Sequence, residues 1–151
     1  MRKKLLTACI VAALGAGYAA VALSQVKPET LVRQRQAVMI LQGKYFGPLA
    51  GMLKGSVPYD AATVTRNAAF LDDLSQMPWD GFAESTKGAK SFALPVIWTE
   101  GAKFKQAQDQ LRTAIGALNA AAKSGNEGAV KAAIGDVGKA CGNCHDNFRE
   151  K

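Results

Sequence analysis

Histidine is almost missing from this 151-residue chain: there is one, His145. Cysteine is nearly as scarce, with Cys9, Cys141 and Cys144 and no others. A structural zinc site takes four ligands, and beyond the N-terminal segment only three Cys or His side chains remain, so zinc is excluded on ligand count. A peroxidase-type enzyme wants a second histidine or another acid–base group opposite its metal, and none is offered. No nucleophile–base pair and no phosphate-binding loop is visible, so the chain does not read as an enzyme. Aromatic residues make up 7% of the chain and are not interleaved with a basic cluster, which excludes nucleic-acid binding. Gly/Ser linkers, low-complexity tracts and acidic tails are absent, so nothing divides the chain into two domains.

What is present begins with a leader. Met1-Arg2-Lys3-Lys4 is a basic start, Leu5 to Leu14 is an apolar run, and small residues follow. That order is the anatomy of a secretory signal peptide. Ala22-Leu23-Ser24 puts small residues at the −3 and −1 positions, so residues 1–24 are expected to be cleaved before Gln25, with a cut before Leu23 as the alternative. Cys9 lies too early for a lipoprotein, with the apolar run after it. Removing Arg2, Lys3 and Lys4 lowers the net charge from +7 to +4, and the remaining positive charge is spread out. The mature chain, 25–151, is expected to be exported, with no stable membrane span.

The apolar positions of the mature chain recur at helical spacing, and no strand pattern appears. A first helix starts at Lys27-Pro28-Glu29, a good start signal with proline at the first helical position. It runs along Leu31, Val38, Tyr45 and Met52, with Gly47-Pro48 expected to bend or interrupt it and a turn at 55–58. A second helix spans about 60–76 and ends at Met77-Pro78. An irregular loop from Trp79 to about Pro95 leads to a third helix, about 96–123, with Ile97, Phe104, Leu111 and Leu118 in sevens. Asn126 caps a fourth, where Val130, Ile134, Val137, Cys141, Cys144 and Phe148 alternate by four and three. Four amphipathic helices with mostly short connections predict an all-α fold, an antiparallel up-down-up-down four-helix bundle.

The chemistry sits at the end of the fourth helix. Cys141-Gly142-Asn143-Cys144-His145 is the Cys-x-x-Cys-His signature of covalent haem attachment. Two thiols three residues apart on a helix share a face and suit the two vinyl groups of one porphyrin. His145, four residues after Cys141, is on that face too and offers an imidazole nitrogen to iron. The expected cofactor is one haem c, held through Cys141 and Cys144. A thioredoxin-like pair belongs to a βαβ pattern that is absent, and a plain disulfide is the remaining rival.

With a single histidine, the sixth iron position is left to methionine, a weaker ligand, or nothing from the protein. Met52 lies about 36 Å along the first helix, at ~1.5 Å per residue, at the wrong end. Met39 and Met77 are within reach, and Met39 is the better candidate because it shares a stripe with Val32 and Phe46. It is equally readable as apolar core. Arg35, one turn before Met39, reads as a partner for a haem propionate or as a surface charge. Arg149, one turn beyond His145, either approaches the imidazole or is a solvated terminal charge. Trp79 and Trp98 read as packing residues.

With Lys27-Pro28-Glu29, Arg35-Gln36, Phe46-Gly47, Val57-Pro58-Tyr59-Asp60-Ala61-Ala62, Pro78-Trp79 with Phe82, Ile97-Trp98, Phe104-Lys105, Gly135-Asp136-Val137-Gly138 and the Cys141-to-Arg149 segment, the chain resembles the cytochrome c′ family over residues 25–151. The resemblance implies a periplasmic protein, often a homodimer, with His145 on one side of the iron and no protein ligand on the other. It implies haem contacts from Arg35, Gln36, Met39 and Arg149, binding of nitric oxide and carbon monoxide, and possible redox partner proteins. Low-spin relatives of the same fold place a ligating methionine at the position of Met39, so an electron carrier with Met39 as sixth ligand is the alternative.

Overall fold

The computed structural model describes residues 26–151. The expected leader 1–24, its cleavage point and Cys9 lie outside the described residues. Among the described residues five α-helices follow one another: α1 Pro28–Lys54, α2 Ala61–Leu74, α3 Val96–Thr99, α4 Gly101–Ser124 and α5 Glu127–Phe148. α1, α2, α4 and α5 form the bundle, each packed on its two neighbours in the cycle α1–α2–α4–α5. Among the described residues there is no sheet, and no helix is long and apolar enough to cross a membrane.

Local chemistry accounts for the helix ends. Pro28 and Glu29 occupy the first turn of α1, where a missing N–H costs nothing and a negative charge meets the helix dipole. Gly55 ends α1 in the left-handed region (φ 72°), which a glycine enters without steric penalty. Asp60 caps α2 by accepting from the Thr63 N–H, and Asn126 caps α5 by accepting from the Ala129 N–H at 2.9 Å. The cap expected at Asn126 is thus present.

Two expectations need correction. α1 is not interrupted at Gly47-Pro48: the helix is continuous through both residues. Pro48 deprives only the Lys44 carbonyl of its partner, and both residues are on the exposed side, where water replaces the lost bond. The expected single helix 96–123 is instead α3 and α4, broken at Glu100 (φ −118°, ψ 46°). The Glu100 N–H closes α3 on the Val96 carbonyl, while its own carbonyl accepts from Lys103 and Phe104 to open α4. Ile97 and Phe104, on either side of the break, share one cluster.

The core has two parts. Aliphatic side chains from all four bundle helices, among them Leu49, Val64, Leu118, Val130 and Ile134, form the larger cluster. A smaller cluster of Ile97, Phe104, Ala107 and Phe148 is packed against Trp79, Phe82 and Trp98. The aromatic cluster is fed by the segment between α2 and α3, which contains two short 3₁₀ turns, Trp79–Phe82 and Glu84–Thr86.

Candidate functional site

Cys141, Cys144 and His145 fall on one face of α5, as their three- and four-residue offsets require, and that face opens on a cleft of about 640 Å³. This is the size of cofactor sites, which run to roughly 300–1,000 Å³ and are mostly apolar. α1 forms the facing wall with Arg35, Gln36, Met39 and Phe46, and the segment before α3 closes a third side with Trp79, Phe82, Ser91 and Phe92. All seven residues singled out in the sequence therefore meet around one space: Arg35, Gln36, Met39, Cys141, Cys144, His145 and Arg149. Met77 is not on that wall and is 56% exposed. Met52 is buried in the aliphatic cluster, away from the site. Of the methionines in reach of His145 by sequence, the fold leaves Met39.

The donor set is chemically suited to haem. Both cysteines are free thiols, not a disulfide. Burial pushes the Cys144 thiol up to about 11, with Cys141 adding to the shift, and burial raises Cys141 as well. Both are thus kept in the protonated form. His145 is shifted the other way. Burial and then the positive charge of Arg149 lower its pKa, while Asp146 opposes them, so its ring is held neutral with a lone pair for a metal. Among the described residues no three His, Cys, Asp or Glu side chains converge as a metal-ion site.

Arg35 is the feature least expected of a surface helix residue. It is 3% exposed, and burial lowers its pKa from the ordinary value. Its guanidinium donates to the Gly81 carbonyl, to Thr86 Oγ1 at 3.3 Å and to Ser91 Oγ at 2.8 Å. It also lies 4.3 Å from the centre of the Phe82 ring. Every one of these partners is neutral, and among the described residues no carboxylate forms an ion pair with it. A buried cation held by neutral acceptors at a cleft wall keeps its charge for an anionic group in the cleft. A haem propionate has that chemistry. The reading of Arg35 as a solvated surface charge is therefore overturned.

Arg149 follows the last turn of α5 in extended conformation and is exposed, with its N–H on the His145 carbonyl at 3.2 Å. Its guanidinium stands 5.9 Å from the Phe92 ring. Trp79, read from sequence as packing alone, lines the cleft and donates from Nε1 to the Ser75 carbonyl at 2.7 Å. Trp98 is a packing residue, tied by its Nε1 to the Phe82 carbonyl at 3.0 Å. Sequence reasoning missed Thr86, Ser91 and Phe92. They lie in a segment without periodicity, and their only signal was a concentration of aromatic and hydroxyl side chains in a loop too long to be a plain connection.

Comparison with known proteins gives a consistent result. The family model described as Cytochrome C′ matches residues 30–149. The cytochrome c′ of Alcaligenes xylosoxydans xylosoxydans is 42% identical over 125 residues, covering 83% of this chain and 97% of that protein. Among solved structures, that of cytochrome c′ from Rubrivivax gelatinosus superposes with a TM-score of 0.80 at 37% identity, over 84% of this chain and all of that one. A nitric oxide complex of a leucine-to-alanine mutant of the Alcaligenes xylosoxidans protein gives 0.78 at 40% identity, over 85% and 99%.

Proposed function

The chain belongs to the cytochrome c′ family, and from that premise we propose that it is a periplasmic haem protein of the five-coordinate type, which binds small diatomic gases such as NO and CO and has His145 as its one protein ligand to iron. The family's members bind gases or carry electrons and are not enzymes, and the same holds for this chain, whose family membership implies a covalently bound c-type haem. The observation that carries the proposal is that two cysteines, a histidine and a buried guanidinium with no carboxylate partner among the described residues line one apolar cleft.

A bound haem would supply a redox-active iron able to take a diatomic ligand. The chain's own residues do the rest. Cys141 and Cys144 give the two thiols for attachment of one haem, and His145 gives the proximal nitrogen. Arg35 and Gln36 receive the carboxylate edge. Met39 and Phe46 make the opposite wall apolar, which favours neutral diatomics over water and anions. Arg149 adds to burial in lowering the pKa of the imidazole. The nitric oxide complex of the Alcaligenes xylosoxidans mutant supports gas binding as the activity. Ile40 and Leu41, 71% and 39% exposed and adjacent on α1, support a homodimer formed on that face. A sedimentation mass of one chain at micromolar concentration would remove the dimer from the proposal.

A second reading has one observation in its favour: Met39 lines the same cleft as His145. With its sulfur on the iron, the protein would be a low-spin electron carrier. The optical spectrum decides between the two. The proposal expects a high-spin ferric protein, a ferrous protein that binds CO without first losing a sulfur ligand, and a Met39→Ala variant that keeps the resting spin state and admits ligands faster. A low-spin ferric spectrum with a sulfur–iron charge-transfer band that Met39→Ala abolishes establishes the carrier instead.

A further inference from the structure

Arg35 and His145 stand on different helices and do not touch, yet a short series of bonds joins them through the segment between α2 and α3. Three points of that segment, Gly81, Thr86 and Ser91, accept hydrogen bonds from the one guanidinium, across 46 to 56 residues of sequence. The fork of five donors in a plane is what allows one side chain to hold three separate points; a lysine ammonium lacks that reach. The fit is also close. A Cβ at Gly81 would lie 2.6 Å from the Cβ of Arg35 and 2.9 Å from the Leu31 carbonyl oxygen, so the segment has no play against α1.

The far end of the same segment is tied to the end of α5. The Leu94 N–H donates to the Phe148 carbonyl at 3.0 Å, and the Glu150 N–H donates to the Phe92 carbonyl at 2.8 Å. These bonds make Ala93 and Arg149 an isolated antiparallel bridge. Ser91 Oγ joins the two ends, since it accepts from Arg35 and also from the Ala93 N–H at 3.3 Å. The Arg149 N–H in turn bonds to the His145 carbonyl at 3.2 Å.

From this arrangement we infer that residues 81–94 act as a strap and that Arg35, by holding its near end, is a positioning residue for the His145–Arg149 end of α5. The inference rests on the haem reading of the cleft and adds to it: Arg35 acts on the proximal side as well as on the carboxylate edge. The strap is made mostly of turns and bends, so its place depends on its two anchors. Loosening one anchor frees the other to open locally.

Thr86→Val is the first variant, because Thr86 is buried off the cleft wall and valine keeps its shape while removing the acceptor for Arg35, together with the hydroxyl's own bonds to the Gly81 and Ala83 carbonyls. Arg35→Lys is the companion. Both are compared with the unaltered holoprotein by amide hydrogen exchange at Leu94 and Glu150 and by the iron–histidine stretching band of the ferrous form. Thr86→Val is expected to speed exchange at these two amides roughly fivefold, the value of one ordinary hydrogen bond, and to shift the band. The Ala129 amide at the other end of α5 should exchange as before. Arg35→Lys should act in the same direction and more strongly. Unchanged exchange at Leu94 and Glu150, or an unchanged band, in Thr86→Val overturns the inference. Mass under denaturing conditions tests the haem reading separately. A chain without haem mass defeats that reading, while exchange at the two amides in the same sample still decides whether the strap is anchored by Arg35.

Discussion

The two ends of the bundle are made from the same helices and built on different plans. At one end Leu49, Met52, Val64, Leu118, Val130 and Ile134 form one cluster, nearly all of them fully buried. At the other, α1 and α5 stand apart across a cleft, and the packing passes to the rings of Phe82, Phe104 and Phe148, with Phe104 in edge contact with both neighbours at 4.9 and 5.2 Å. Aliphatic side chains on regular helices close a bundle by themselves. An end that must stay open needs large, rigid side chains and a segment brought in from outside the helices to brace it. Stability is concentrated in the first region and chemistry in the second.

The comparison breaks most sharply at the thiols. Replacing both Cys141 and Cys144 by serine should abolish covalent haem attachment, read as complete loss of haem mass under denaturing conditions, while the closed end retains its helical circular dichroism. A pair of core truncations sharpens it further. Leu118→Ala should cost about 2–5 kcal/mol and Phe104→Ala about 3–5 kcal/mol in urea unfolding of the holoprotein. Only Phe104→Ala should also move the haem absorption spectrum, because Phe104 lines the cleft and Leu118 does not. Equal spectral changes in both variants would mean that the two ends are not separate.

Gly81→Ala comes next. Its methyl would meet the Cβ of Arg35 at 2.6 Å, and relieving that overlap should cost about 1–3 kcal/mol and displace the strap, read as faster trypsin cleavage at Lys87 and Lys90. The smallest effect is expected at the start of α5. Asn126→Ala removes the cap on the Ala129 N–H and should lower stability by about 1 kcal/mol. It should leave the haem spectrum as it was, because the helix start lies at the closed end, where Val130 joins the aliphatic cluster.

Fold class was legible because its signals are local. The proline start of α1, the Asn126 cap and the repeats of four and three each act within a few residues, so they can be read along the chain. The same holds for the core of the site: Cys141, Cys144 and His145 share a helix face whatever else the chain does. Gly47-Pro48 and Glu100 show where local reading fails. A proline whose lost bond faces solvent need not end a helix, and a run of apolar sevens can hide a break whose two sides still pack in one cluster.

By itself, then, the sequence determined four amphipathic helices, a haem-attachment face on the last of them and a shortage of histidine that left the sixth iron position to Met39, Met77, a weaker ligand or nothing from the chain. The tertiary structure alone decided that Met39 and not Met77 lines the cleft, that Arg35 is buried against Gly81, Thr86 and Ser91, and that residues 81–94 tie α1 to the end of α5. The physical reason is the range of the forces. Caps and helix faces depend on neighbours at offsets of three, four and seven, whereas the bonds of Arg35 join residues about fifty positions apart in a segment with no periodicity. Such bonds exist only once four helices have packed and left a buried guanidinium in need of acceptors.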